Sequence, residues 1–356
     1  MNIRKTTFAG LTGDEIAAWS AIQRGNPALS SPYFRPEFTQ AVASVRTDVE
    51  VAVLEEAGRA VGFFPYQRKG WGAGRPVAGR LSDFHALIAP ADVDCDPCEL
   101  MRACGLSSWQ FDHLLPTNAS FARFVWSTAD SPYVDLSSGF DAYVAERENG
   151  RRMLAEFGQK KRKCEREVGP LRHVPHVDDP AIVKIGIRWK SRQYDQSEAD
   201  NIFTHPWVVA LMEKILACRG EDFAPVVSVT YAGDEIAAIN LGMRSRGVLH
   251  PWFPTYNPEL SAYSPGFLHW IETMVAAESI GIYRIDLGKG DETYKRRFMT
   301  GAVRVGQGAI DMRRSVATAR RIWRNTRASI KASPLYGPAR VPARVIRRVR
   351  SWMELR

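Results

Sequence analysis

Two short stretches concentrate the residue types that do chemistry. In Ser82-Asp83-Phe84-His85 a carboxylate and an imidazole alternate around an aromatic ring. On an extended segment Asp83 and His85 point to one face, where the pair could orient an amine or hydroxyl and remove its proton. The competing reading of such a pair is a solvated surface. The second stretch runs from Tyr263 to Phe298, YSPGFLHWIETMVAAESIGIYRIDLGKGDETYKRRF. Pro265 suits a first helical position because it lacks the N–H that would go unpaired there, and Ser264 precedes it as N-cap. Free N–H groups and the positive end of the helix dipole would converge on Ser264, Pro265, Gly266 and Phe267, an anion site suited to a pyrophosphate. The competing reading is an ordinary capped core helix.

The elements that must position these residues follow from periodicity. Phe267, Trp270, Ile271, Met274 and Val275 recur at helical spacing, and Gly281 supplies the stop. Ile282, Tyr283, Ile285 and Leu287 then form a short strand that Gly288 and Gly290 break.

The ordered set Ser264-Pro265-Gly266, helix, then Asp286, Gly288, Gly290, Tyr294 and Lys295 resembles the GNAT-superfamily acyltransferases of the CelD/BcsL-like group of bacterial polysaccharide biosynthesis, cellulose biosynthesis included. Two GNAT-like halves in one chain would also be similar to the Fem-type transferases. The resemblance implies an α/β (α+β) fold of two tandem GNAT-like domains, each a mixed, largely antiparallel sheet flanked by helices. It places an N-terminal GNAT-like domain at 1–138, an acyl-CoA-binding domain at 139–312 and a basic tail at 313–356. It implies transfer of an acyl group from acetyl-CoA or a longer acyl-CoA to an amine on a sugar, polysaccharide precursor or lipid-linked acceptor. Ser264 to Phe267 would hold the pyrophosphate, and Gly288 and Gly290 would allow close backbone approach. Tyr294 would protonate the leaving sulfur or pack on pantetheine, and Lys295 would meet a phosphate or wall the site. Asp83, His85, His250 and Asp286 stand as general-base candidates in no fixed order. The alternatives are an aminoacyl-tRNA donor, N-acylation of a sphingoid amine, or a non-catalytic scaffold for a polysaccharide synthase.

Elsewhere the pattern is coarser. Glu50 to Tyr66 reads as a hairpin, Trp109 to Leu115 as a strand with Asp112 and His113 on opposite faces, and Phe140 to Gly169 as one long charged helix. Arg172 to Val177 suggests a strand, Pro180 to Tyr194 and Pro206 to Arg219 suggest helices, and Ala224 to Arg244 a second hairpin turning at Gly233-Asp234. Val248 to Tyr256, with His250, reads as the strand before the Ser-Pro-Gly turn. The Gly-rich Arg68 to Arg80 lacks the Lys-Ser/Thr of a P-loop and reads as a mobile loop at a cleft. The two halves share no obvious sequence period.

Composition bounds the rest. A chain of 356 residues with 45% hydrophobic content is long enough for two domains. Five scattered cysteines fit reduced thiols, and Cys95-Asp96-Pro97-Cys98 lacks the second ligand pair of a zinc site, so no metal is expected. The net charge of +9 belongs to the tail: residues 313–356 hold 13 Lys and Arg against one acid, Glu354, and the remainder sums to −3. Without a signal peptide or a long apolar run, the expected location is the cytoplasm, with the tail meeting the inner membrane or a membrane synthase, or else docking on the body. Nucleic acid is disfavoured as a partner, because no stacking aromatics interleave with the basic run from Arg151 to Arg166.

Overall fold

The computed structural model describes residues 1–197 and 200–313. The basic tail, and with it the expected membrane or synthase contact, lies outside the described residues except for Arg313. In chain order the elements are β1 (Asn2–Thr6), α1 (Gly13–Gly25), α2 (Pro36–Val45), β2 (Val49–Glu56), β3 (Arg59–Arg68), β4 (Ala73–Pro76), α3 (Pro97–Ala103), β5 (Ser108–Leu114), β6 (Val125–Asp135), α4 (Gly139–Ala145) and α5 (Gly150–Glu167). They continue with β7 (Leu171–Val174), α6 (Pro180–Gln196), α7 (Pro206–Leu216), β8 (Ala224–Ala232), β9 (Glu235–Ser245), β10 (Val248–Tyr256), α8 (Pro265–Ala276), β11 (Arg284–Asp286), α9 (Thr293–Phe298) and β12 (Gly301–Asp311).

Local chemistry explains the boundaries. Helices α2, α3, α6, α7 and α8 all begin on proline, whose missing N–H and fixed φ suit that position. Thr12 and Glu15 close a reciprocal capping box on α1. Within β2, Val51 and Val53 face one core while Ala52 and Leu54 face another, as the two-residue period of a strand requires. The sheet is covered on both faces. Helices α1, α2, α6 and α7 pack on one, with Trp19, Phe38 and Leu211 fully buried. Helices α3, α4, α5 and α8 pack on the other.

All twelve strands form one sheet, in the order β1-β2-β3-β4-β5-β12-β6-β11-β10-β9-β8-β7. Each half repeats one plan. Strand β1, two helices, the β2–β3 hairpin and β4 lead through α3 to β5, which lies parallel to β4. Likewise β7, two helices, the β8–β9 hairpin and β10 lead through α8 to β11, parallel to β10. The strand that follows each unit crosses over: β6 pairs antiparallel with β11, and β12 with both β5 and β6. The duplication that the sequence hides is explicit in this order.

The structure differs from the sequence reading at several points. The Gly-rich segment after Arg68 is not all loop, since β4 pairs with β3 and β5. The long charged helix is two, α4 and α5, broken at the Asn149-Gly150 turn. Val275, assigned to the apolar stripe, is exposed, while Leu268 and His269 are buried instead. Strand β12, which fastens the halves together, and helix α9 were not anticipated.

Candidate active site

The parallel pair β10–β11 holds for only two residue pairs, Val248↔Arg284 and Leu249↔Ile285. A bulge between His250 and Phe253 then shifts β10 against β9. Beyond it β10 has β9 on one side and no described strand on the other. Lysines sit on the vacated carbonyls. Lys190, from α6, donates to Pro254 O at 3.0 Å, and Lys295, from α9, donates to Gly288 O at 3.2 Å and Lys289 O at 3.0 Å. Burial pushes the Lys190 ammonium down to about 8, helped by the charge of Lys295 and opposed by that of Glu292.

His250 stands at the apex of this gap, buried, with its Nε2 3.1 Å from Asp83 Oδ2. Its Nδ1 is buried without a hydrogen-bond partner. The Asp83 carboxylate therefore fixes the proton on Nε2 and leaves the Nδ1 lone pair vacant. Tyr33 packs edge-on against the ring, with centroids 5.0 Å apart. Gly288, at φ +74°, lies against the pair: a Cβ there would stand 2.7 Å from Asp83 Oδ2.

The network extends into the other half. His113 Nε2 is 3.5 Å from Asp83 Oδ1, and His113 Nδ1 is 2.9 Å from Asp112 Oδ1. Burial pushes Asp83 up, but the hydrogen bond from His250 and the charges of His250, His113 and Lys295 outweigh it and hold the carboxyl at about 2. Asp112 is likewise raised by burial and lowered further by its contact with His113, for a net fall. Asp112 and His113 were expected on opposite faces, one of them as ordinary surface. At the end of β5 their side chains meet, and both belong to the network.

His85 plays a different part from Asp83. Its Nε2 lies 3.1 Å from Ser82 O, its Nδ1 accepts from His113 N at 3.4 Å, and burial pushes it down to about 3, so it is a neutral support for the turn that carries Asp83. His85, Asp112 and His113 also bring three ligand-type atoms within 4.8 Å of one another. Lys289 Nζ, 3.9 Å from Asp112 Oδ2 and bonded to Asp112 O, already supplies positive charge there.

Asp286 is buried and accepts from Arg284 Nε at 2.8 Å, and burial raises its pKa against the pull of Arg284. It lines a cavity of about 260 Å³ with Ser31, Phe84, Thr117 and Arg284. The ring of Tyr294 stacks on Trp270 at 5.7 Å, and burial raises its hydroxyl pKa, keeping it protonated. Gly290, at φ +145°, approaches Glu292 and Lys295 more closely than a side chain would allow.

At the start of α8, Ser264 has a left-handed φ of 56° and its side chain makes no capping bond; its Oγ instead accepts from Lys160 Nζ at 2.9 Å. Ser264, Gly266 and Phe267 are half-buried, and Pro265 is buried. This end of the helix is therefore open to one side and already has an ammonium beside it. Lys160 belongs to the basic run from Arg151 to Arg166 singled out in the sequence; sequence reasoning missed Lys190 and the adjacency of Asp83 to His250.

Residues 151–296 match the family described as acetyltransferase (GNAT) domain. No curated protein matches the sequence. Among solved structures, the C-terminal domain of an Agrobacterium fabrum protein assigned as a lysylphosphatidylglycerol synthetase is 13% identical, covers 86% of this chain and 95% of its own, and has a TM-score of 0.53. FemX is 8% identical over 87% of this chain and 97% of its own, with a TM-score of 0.54. L-PGS from Bacillus licheniformis is 10% identical over 86% and 94%, with a TM-score of 0.50. At such identities the likeness is one of fold. The class is thus a mixed α/β GNAT-type fold built of two tandem halves. The acetyltransferase-type domain match falls on α5 through α9, the segment that contains His250, Ser264 to Phe267 and the glycine turn.

Proposed function

We propose that the protein is an acyl-CoA-dependent N-acyltransferase that transfers acetyl or a longer acyl group to an amine of a sugar, polysaccharide precursor or lipid-linked acceptor. The observation that carries this reading is the gap between β10 and β11 with His250 at its apex, held by Asp83 and with its second nitrogen vacant. Pantetheine adds to the free edge of β10 as a strand would, and the pyrophosphate sits at Ser264 to Phe267 beside Lys160. Gly288 makes room for the Asp83–His250 pair that faces the thioester, and Gly290 for Glu292 and Lys295.

Asp286 receives the acceptor amine from its cavity. His250 Nδ1 takes the proton as the nitrogen attacks the thioester carbonyl, with Asp83 stabilising the resulting imidazolium. The tetrahedral intermediate collapses, the C–S bond breaks, and the Tyr294 hydroxyl returns a proton to the leaving thiolate. Lys190 and Lys295 lend positive charge to the cradle, and His85 positions Asp83. No covalent acyl-enzyme is needed. In this reading residues 139–312 form the donor-binding half and the protein works in the cytoplasm on polysaccharide precursors, as the CelD/BcsL-like resemblance implies.

Calorimetric titration of the full chain with acetyl-CoA and a long-chain acyl-CoA tests the donor. In Gly266→Val the new Cβ stands 3.6 Å from Tyr256 Cδ1, an ordinary contact, and an unchanged circular-dichroism spectrum and urea midpoint check that the variant folds. Its CoA affinity should drop by about tenfold as phosphate–amide bonds lengthen. Wild-type protein that ignores every acyl-CoA but binds charged tRNA in a salt-dependent manner would move the donor to an aminoacyl ester.

A further inference from the structure

A cavity of about 800 Å³ opens at the start of β10 and β11, the opposite strand ends from the N-terminus of α8. It shares the wall residues Pro27, Ser30 and Arg284 with the smaller cavity that Asp286 lines, so a path between the two would pass those three side chains. Its volume suits a ligand far larger than a bare amine.

The lining is rich in guanidinium groups. Arg24, Arg244, Arg246 and Arg284 line the cavity with the carboxylates Glu221 and Asp222; Asp222 pairs with Arg24 at 3.0 Å and Arg246 at 3.9 Å and also with the buried Arg35, behind the wall, at 3.5 Å. Arg35 is also committed to Glu37 at 2.7 Å. Arg244 is half-buried, donates to Arg246 O at 2.9 Å and has no carboxylate within ion-pair distance among the described residues. A partly desolvated guanidinium without a counter-charge calls for an anion, and its planar fork fits a phosphate. Arg246 occupies the β9–β10 turn at φ +50°, a backbone state that asparagine or glycine adopts at less cost. Beside it the half-exposed ring of Tyr283 lies directly over Gly247, where no side chain would fit, and forms a flat wall.

Resting on the acyl-transfer reading above, we infer that the acceptor is a phosphorylated amine, its phosphate held by Arg244 and Arg246 in this cavity and its amine delivered along the path to Asp286. Donor and acceptor then approach the same apex from opposite strand ends.

Two probe pairs test this on the full chain at low salt: glucosamine 6-phosphate against glucosamine, and phosphoethanolamine against ethanolamine. The phosphorylated member should bind at least tenfold more tightly, and Arg244→Ala should weaken it roughly 10- to 100-fold while leaving the unphosphorylated amine unchanged. Preference for glucosamine 6-phosphate supports a sugar phosphate, and preference for phosphoethanolamine supports a lipid headgroup. Equal binding within both pairs, or phosphate binding untouched in both Arg244→Ala and Arg246→Ala, overturns the inference. A parallel titration with acetyl-CoA separates the two layers. Lost CoA binding with phosphate selectivity intact refutes the donor reading alone; the reverse refutes the acceptor class alone.

Discussion

The two halves of the sheet part their parallel strands in the same way and then diverge in what fills the gap. In the first half β4 and β5 pair only at Ala73↔Ser108 and Gly74↔Trp109. The chain itself then takes the vacated place: His85 N donates to His113 O at 2.9 Å, Leu115 N to His85 O at 2.8 Å, and Ile88 exchanges bonds with Phe63 of β3 at 2.8 and 2.9 Å. In the second half no described strand fills the corresponding gap, and two lysines reach its carbonyls. One slot is closed by its own backbone, and the other has no described strand across it. The closing segment also carries Asp83 across to His250. Duplication has thus been turned into a division of labour, in which the sealed half supplies a residue to the open one.

The largest expected effect comes from cutting that connection. Asp83→Asn keeps the shape but removes the charge that holds the Nε2–H tautomer of His250 and stabilises its protonated form. With the acceptor proposed above, kcat should fall by about 10³-fold, while acetyl-CoA affinity stays near that of the parent because the proposed pyrophosphate site is untouched. A variant that retains within tenfold of parental kcat would show that the two halves are catalytically independent.

Much of the open half was legible beforehand, and much of the sealed half was not. Proline starts and turn chemistry placed α6, α7, α8 and both hairpins, because these signals are local. The proximity of Asp83 and His250 is not local: 167 positions separate them, and only the sheet order brings them within 3.1 Å. One of Asp112 and His113, not specified which, was read as surface because strand alternation predicts opposite faces. That rule lapses at the strand end, where the two side chains turn toward each other. Lys190 was hidden among other charges in α6, whose pattern says nothing about which ammonium meets a frayed carbonyl edge. For two misses a signal existed. Glu148-Asn149-Gly150 is a turn sequence that should have split the long helix, and Val303 and Val305 alternate as a strand, diluted by the glycines of β12.

A second imidazole cluster sharpens the contrast. His269 is buried between Ser228 Oγ at 3.2 Å and Thr230 Oγ1 at 2.8 Å, and its ring meets His173 edge-on at 5.2 Å. His173 Nδ1 shares Thr230 Oγ1 at 2.8 Å, and its Nε2, like His250 Nδ1, has no partner. What separates the clusters is the carboxylate. Burial, helped at His269 by the charge of His173, drives His269 well below its ordinary value, and burial pushes His173 down to about 4, so both stay neutral. His269→Ala should cost about 2–4 kcal/mol in urea denaturation, through the cavity and two stranded hydroxyls. Its kcat, measured on the folded fraction, should match the parent. A large loss of kcat without loss of stability would make the second cluster part of the chemistry.

The last contrast is the pH dependence of folding. In the unfolded chain His85, His173 and His269 bind protons near 6.5; the folded protein binds them only near 3 for His85, near 4 for His173 and lower still than the ordinary value for His269. Between about pH 6.5 and 4 the unfolded state therefore holds more protons, and stability falls as the pH falls, by at most ~1.4 kcal/mol per pH unit for each ring. Asp83 does not contribute in this window. Its carboxyl is held at about 2, so its share is present above the unfolded value of 3.8 and is lost only below it. Asp286 acts in the opposite sense. Its raised pKa gives stability that is present at low pH and lost as the pH rises through the folded value, which blunts the slope near the acid end. Urea midpoints at pH 7, 6 and 5 should decline, and His269→Ala should flatten the decline by about one proton. An unchanged slope in that variant would mean that His269 takes up its proton in the folded state, and would erase the distinction between a buried neutral ring and one poised beside a carboxylate.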